Sequence, residues 1–323
     1  MDFPISILDL AIVSSGATMR DALDATVSLA QLAETLEYQR IWYAEHHNMS
    51  AIASSATSVL IAHVAAHTTS IRLGSGGIML PNHSPLTIAE QFGTLAELHP
   101  GRIDLGLGRA PGTDLHTMRA LRRDPRDADA FPNDVLELQG FLADCSTIPG
   151  VRAIPGAGTR IPLYILGSST FGAQLAAHLG LPYAFASHFA PAALQPAVAI
   201  YRKQFRPSEQ LDHPHVIAAI NVIAADTGAE AEAQFHASSR ARVARFVGGE
   251  QKLSDTEIDA LVSSPQGQQV LKMMKYRAVG TPSTVSDQLA AFRTHADADE
   301  LMIVLAAPTV EARLHSAKLV ARA

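Results

Sequence analysis

The stretch Arg72-Leu73-Gly74-Ser75-Gly76-Gly77-Ile78-Met79-Leu80, followed by Pro81-Asn82-His83-Ser84 and then by Pro85–Leu98, reads as a strand, a short turn and an amphipathic helix. Ile103–Gly108 then resumes an extended apolar pattern. Two strands separated by a helix must run parallel, because the helix carries the chain back to the starting edge. The same unit recurs along the chain. Strands are expected at Ile5–Ile12, Arg40–Ala44, Arg72–Leu80, Ile103–Gly108, Leu163–Gly167, Tyr183–Ser187, Val216–Ala225 and Glu300–Leu305. Helical patterns lie between them at Met19–Leu36, Ser55–His67, Pro85–Leu98, Asn133–Leu142, Phe171–Leu179, Ala192–Phe205, Ala229–Val243 and Pro282–Thr294, with a last helix near Glu311–Ala321. Eight strand-helix repeats are the count of an α/β fold of the (β/α)8 TIM-barrel type. Thr281-Pro282 supplies an N-cap with proline at the first helical position, and Gly180 supplies a C-terminal glycine.

The 323 residues correspond to two domains at roughly 150 residues each or to one barrel of about 250 residues with insertions. No linker of distinct composition separates two halves, so a single barrel over residues 1–323 is expected. Two segments exceed ordinary connections: Ala110–Pro132, and Phe246–Gly280, which mixes glycines, polar residues and a short helical stretch. Long loops on a rigid barrel serve as lids or binding loops, and 246–280 is the better lid candidate.

Hydrophobic residues make up 47% and charged residues 17%, which supplies ample material for a core and argues against disorder. A net charge of −6 repels phosphate backbones and anionic lipid, so neither nucleic acid nor membrane is an expected partner. Asp2 stands where a secretory leader needs a base, and no apolar run approaches the roughly 20 residues of a membrane span. A cytoplasmic location is expected. The single cysteine, Cys145, excludes an intrachain disulfide and a cysteine metal cluster, and its setting after Leu142-Ala143-Asp144 is that of an ordinary helix end.

In a barrel, chemistry gathers at the carboxyl ends of the strands, and those positions are unusual here. Glu45-His46-His47-Asn48 follows the second strand, Gly74-Ser75-Gly76-Gly77 lies within the third, and Arg109 follows the fourth. Ser168-Ser169-Thr170 follows the fifth and His188 the sixth. Adjacent residues past a strand diverge, so one of His46 and His47 faces the pocket as an acid-base group or polar wall, unless the two form a structural pair. Glycines in a strand mark either the close approach of a flat ligand or a bulge under tight packing. Arg109 with the amides opening the helix after Gly167 reads as a phosphate clamp, although serine at a helix start is also a plain N-cap.

Other motifs fail. Gly106-Leu107-Gly108-Arg109-Ala110-Pro111-Gly112 has its third glycine one place late for a dinucleotide fingerprint, and Pro111 interrupts the helix that must follow. No Walker A sequence or Gly-x-Ser-x-Gly elbow is present. His63 and His67 have helical spacing, but Val64 replaces the catalytic glutamate and no third ligand is evident, so no metal site is expected. His213 and His215 flank a proline and read as loop residues.

Four segments together resemble the bacterial luciferase-like flavin monooxygenases: Ile41-Trp42-Tyr43-Ala44-Glu45-His46-His47, Arg72 through Pro85, His99-Pro100-Gly101-Arg102-Ile103-Asp104-Leu105-Gly106-Leu107-Gly108-Arg109, and Val279-Gly280-Thr281-Pro282. The resemblance covers nearly the whole chain and implies a (β/α)8 barrel. It further implies binding of reduced FMN, capture of dioxygen as a 4a-peroxyflavin, and oxygenation of a small organic substrate. His46 corresponds to a histidine near the reactive flavin edge, and Gly76-Gly77 to a cis peptide that supports the flavin ring. Arg109, Ser169 and the backbone of Ser168 correspond to contacts with the flavin phosphate. Gly108 stands where luciferase carries a reactive cysteine, so aldehyde oxidation with light emission is not implied.

Some relatives use a deazaflavin coenzyme for hydride transfer, and others bind flavin without turnover; both remain alternatives. Reduced flavin is expected from a separate NAD(P)H:flavin reductase, since no nucleotide-binding motif is evident. The resemblance also suggests a homodimer. Ser14-Ser15-Gly16, Leu115-His116 and Phe189 in the loops after the first, fourth and sixth strands favour a moderately apolar substrate.

Overall fold

The computed structural model describes residues 2–323 except Pro111, Glu250 and Lys252. The helix-interrupting Pro111, the chain start at Met1 and positions 250 and 252 of the candidate lid therefore lie outside the described residues. The elements run β1 (Ile5–Asp9), α1 (Met19–Thr35), β2 (Arg40–Tyr43), α2 (Thr57–Ala65), β3 (Arg72–Met79), α3 (Pro85–Leu98) and β4 (Ile103–Gly108). They continue as α4 (Leu115–Ala120), α5 (Phe131–Leu142), β5 (Leu163–Gly167), α6 (Thr170–Leu179), β6 (Tyr183–Phe185), α7 (Leu194–Gln204) and β7 (Val216–Ala224). The last third holds α8 (Gly228–Gly248), α9 (Asp255–Ser263), α10 (Pro265–Met273), β8 (Arg277–Gly280), α11 (Pro282–Ala296), β9 (Glu300–Leu305) and α12 (Val310–Ala321).

All strand pairs in the sheet are parallel, and the order β6-β5-β4-β3-β2-β1-β9-β7 closes through a β6–β7 pairing into an eight-stranded barrel. The ninth strand, β8, lies within the segment read as a loop. β6 has only three residues and covers β7 from Val216 to Ala218, so the same edge of β7 would be bare beyond that point. β8 takes that edge from Asn221 to Ala224. Four residues with two apolar side chains carry no detectable period; a neighbouring bare edge makes them a strand. The segment 246–280 is thus the end of α8, two short helices and β8, rather than an unstructured connection. Thr281 caps α11 by accepting from the Thr284 amide, and Gly180 ends α6 in the left-handed region at φ 65°.

Side chains alternate across each strand and build two cores. Outward residues such as Ile41, Leu73, Leu105 and Ile165 meet Ile61, Phe92 and Val285 from the helices. Inward residues Leu8, Trp42, Tyr164, Ile217 and Met302 fill the lumen. Below that layer, at the amino-terminal end of the strands, lies a buried ionic plug. Arg40 donates to Asp104 (2.8 Å), to both oxygens of Glu300 (3.1 and 3.2 Å) and to the Tyr164 hydroxyl (2.6 Å). Trp42 Nε1 and Arg72 also donate to Asp104, and Ser6 donates to Glu300. His215 Nε2 lies 3.4 Å from Glu300, so it belongs to this plug rather than to a free loop. Burial opposes the Arg40 charge, yet Glu300 and Asp104 hold it firmly protonated.

Candidate active site

At the opposite end, β2 delivers Glu45-His46-His47 onto the rim. Glu45 is only 1% exposed and accepts four hydrogen bonds: from the Met79 amide (2.9 Å), from His47 Nε2 and His83 Nε2 (2.9 Å each), and from Asn82 Nδ2 (3.3 Å). Burial pushes this carboxyl up, but the bonds from His47, His83 and Met79 outweigh burial and hold it at about 2. His47 is correspondingly raised by its bond to Glu45 against a smaller opposing effect of burial. Glu45 is therefore a clasp tying the β2 end to the turn after β3, and His47 belongs to it.

His46 points elsewhere. Its Nδ1 is buried and has no hydrogen-bond partner, while the residue borders an open depression of about 470 Å³ with Met19, Leu23, Met49 and Ile52 and the polar Asn48, Ser50 and Ser55. Burial and the neighbouring His47 lower its pKa, with Glu45 opposing. The ring is thus neutral near pH 7 and can accept or pass a proton. His188, after β6, carries a second unpartnered ring nitrogen. Burial, then the charges of Arg242 and His46, hold His188 down to about 3. Asn221 on β7 donates to the His188 carbonyl (2.7 Å) and leaves its own carbonyl oxygen unpaired.

On the other side of the rim, the Arg109 guanidinium lies 4.2 Å from the centroid of the Phe171 ring, in the first turn of α6. Ser169 is the N-cap of α6, but its hydroxyl caps no amide; its carbonyl accepts from Tyr183 (2.9 Å). Ser168, Ser169 and Arg109 are exposed. The fold thus brings Arg109, Ser168 and Ser169 together, and the plain N-cap reading of Ser169 does not describe it.

The Gly76–Gly77 peptide is cis. The glycines are required by the protein itself. A Cβ on Gly74 would lie 2.7 Å from Asp104, one on Gly76 2.6 Å from Leu8, and one on Gly77 2.8 Å from the Gly106 carbonyl. The β3–β4 register also shifts between Ser75 and Ile78. Bulge and tight packing therefore account for these residues without a ligand.

Sequence reasoning did not single out Asn221 or Arg242, and it noted His188 only by position. An asparagine inside the otherwise apolar run Val216–Ala224 was the available signal. Among the described residues no group of three or more His, Cys, Asp or Glu side chains is arranged to hold a metal, and no helix is long and apolar enough to cross a membrane. His67 Nδ1 is bonded to the His63 carbonyl (2.7 Å), and Cys145 is exposed with a free thiol.

A parallel (β/α)8 barrel with several unsatisfied polar groups, His46, His188 and Asn221 among them, towards the carboxyl ends of its strands has the general layout of a barrel enzyme. Residues 3–298 match the model of the luciferase-like monooxygenase family, and the chain belongs to that family. It is 48% identical over 317 residues to a luciferase-like monooxygenase of Escherichia coli (strain K12), covering 97% of this chain and 95% of that one. Among solved structures it is similar to apo-MsnO8, with a TM-score of 0.88, 34% identity and coverage of 99% and 98%. The fold is also that of the oxygenating constituent of 3,6-diketocamphane monooxygenase from Pseudomonas putida, solved in complex with FMN, at TM-score 0.73, 17% identity and coverage of 99% and 97%.

Proposed function

We propose that the protein is a flavin-dependent monooxygenase that takes reduced FMN from a separate NAD(P)H:flavin reductase and oxidises a small organic molecule. The observation that carries the reading is the presence at one rim of His46, whose Nδ1 is buried and unpartnered, and of Arg109 stacked beside the uncapped start of α6. Those groups suit a bound flavin phosphate at one end and a reacting centre at the other. Family membership and the FMN held by a relative of the same fold support the same cofactor.

When bound, reduced FMN supplies the activation of dioxygen, so that one oxygen atom passes to the substrate. Arg109 neutralises the phosphate, and Ser168 and Ser169 offer hydroxyls and helix-terminal amides to it. By the family resemblance, the Gly76–Gly77 backbone would support the ring, in addition to the packing that already calls for glycine there. His46, neutral and without a competing partner, exchanges a proton at the reacting edge. Exclusion of water falls to the segment 246–280 together with α8. The α8 helix packs on the rim, since Ser238 donates to the Ala306 carbonyl just past β9 and Phe235 packs with Ile223, Val279 and Ala306.

The test is a substrate screen with a generic flavin reductase, NADPH, FMN and isotope-labelled dioxygen. One labelled oxygen atom in the product is expected. Unlabelled oxidised product formed with a deazaflavin would favour hydride transfer instead. Bound FMN with no product, and dioxygen returned only as hydrogen peroxide, would favour a non-catalytic flavin binder.

A further inference from the structure

The rim carries two arginines that nothing in the described protein neutralises. Along α8, positions 235, 238, 242 and 245 share one face, because residues three and four apart are neighbours on a helix. Phe235 packs with Ile223, Val279 and Ala306 at the top of the barrel, and Ser238 bonds the Ala306 carbonyl at 2.7 Å. The next two positions on that face are Arg242 and Arg245. Neither has a carboxylate within ion-pair distance among the described residues; the nearest aromatic compensation is the Phe246 ring, 5.6 Å from the Arg242 guanidinium carbon. Arg242 Nε is buried and unpartnered. Beside it sits His188, 8% exposed, whose Nδ1 is also unpartnered.

Other buried or half-buried arginines have hydrogen-bond partners: Arg102 and Arg313, which also lack a carboxylate within ion-pair distance among the described residues, donate to backbone carbonyls. Arg40 has Asp104 and Glu300, and Arg240, two residues before Arg242 on α8, has Asp255 and Asp259. Burial followed by mutual repulsion disfavours the Arg242 charge, and burial alone disfavours that of Arg245. An unpaired, half-buried cation is costly to keep, and a ligand anion would relieve that cost.

We infer that Arg242 and Arg245, with His188 as a neutral hydrogen-bonding neighbour, form a subsite for an anionic group of the substrate, which is therefore a small apolar molecule bearing a carboxylate. The inference rests on the carboxyl rim being the reaction chamber. A guanidinium fork matches a carboxylate in two parallel hydrogen bonds, and His188 adds a partner that carries no competing charge. The subsite lies by β6, β7 and β9, whereas Arg109 and α6 follow β4 and β5, so substrate anion and cofactor phosphate are assigned to different cations.

The experiment measures binding of matched acid and primary-amide pairs by calorimetry to the intact chain and to Arg242→Gln and Arg245→Gln. The pairs are (phenylthio)acetic acid, 4-phenylbutanoic acid and octanoic acid with their amides. At least one acid is expected to bind about tenfold or more tightly than its amide, the range a charge-assisted bond carries, and to lose that preference in both variants. Both variants should fold with unchanged or raised unfolding midpoints, since an unpaired charge is removed. No acid preference in any pair, or a preference that survives both substitutions, overturns the subsite. So does a fall in reduced-FMN affinity in these variants, which would make the phosphate their anion. A separate anaerobic titration with reduced FMN distinguishes the two readings. Acid preference without FMN binding sinks the flavin assignment alone, and FMN binding without acid preference sinks only the subsite.

Discussion

The two ends of the barrel use the same residue types to opposite purposes. At the amino end, arginine, acid and histidine meet in the Arg40-Asp104-Glu300-His215 plug, where the buried carboxylate charges are paired. At the carboxyl end, His46, His188, Asn221 and Arg242 each keep a buried polar atom with no partner. Buried polar groups are ordinarily satisfied, and a cluster of exceptions at one end of a rigid scaffold is a site held ready for something else. The Glu45 clasp lies between the two cases: it is at the functional end, but all its partners are protein groups.

The sharpest way to break this contrast is to substitute the plug. Arg40→Leu removes the buried cation that Asp104 and Glu300 share, leaving them only the part-exposed Arg72 and His215 as ionic partners, which costs about 3–5 kcal/mol, read as a lowered free energy of unfolding in urea or as loss of soluble protein. A change under about 1 kcal/mol, the worth of an exposed pair, would mean the plug is no more than a surface-like contact. At the other end, His46→Ala should slow product formation by about 10² to 10⁴ with hydrogen peroxide released instead, while urea unfolding stays near wild type. His47→Ala should reverse that pattern, losing stability through the Glu45 clasp with product formation kept. Equal uncoupling in both variants would place neither histidine apart.

Arg109→Ala mirrors Arg40→Leu with a smaller effect. Reduced FMN should bind about 1.5–3 kcal/mol more weakly, the worth of a hydrogen bond to a charged group, with the unfolding free energy unchanged. Lost stability at unchanged FMN affinity would move Arg109 into the structural class. The pH dependence of unfolding sharpens the intermediate case. Glu45 is depressed from 4.5 to about 2, so its contribution is complete above about pH 4.5 and is lost as pH falls towards 2. His47 is raised from 6.5, so its contribution is complete below about pH 6.5 and is lost as pH rises through its shifted value. Glu45→Gln should flatten both limbs; retention of either would detach that residue from the clasp.

The barrel was legible because strand and helix periods are local. Ile103–Gly108 and Glu300–Leu305 agree with the observed strands residue for residue. β8 was not legible, since Arg277–Gly280 becomes a strand only beside the uncovered edge of β7. Position past a strand end was enough to place Arg109 near the start of α6 and to give His46 and His47 different surroundings. The α8 contribution was hidden, because Arg240, Arg242 and Arg245 look alike in sequence. Only burial and the position of α9 separate the paired one from the other two.

Anaerobic titration of the wild-type chain with reduced FMN tests the assignment of the carboxyl rim most directly. Saturable binding at one equivalent per chain, weakened in Arg109→Ala and unchanged in Arg40→Lys, is the expected result. No binding of reduced FMN by folded wild-type protein, or binding indifferent to Arg109, would contradict it.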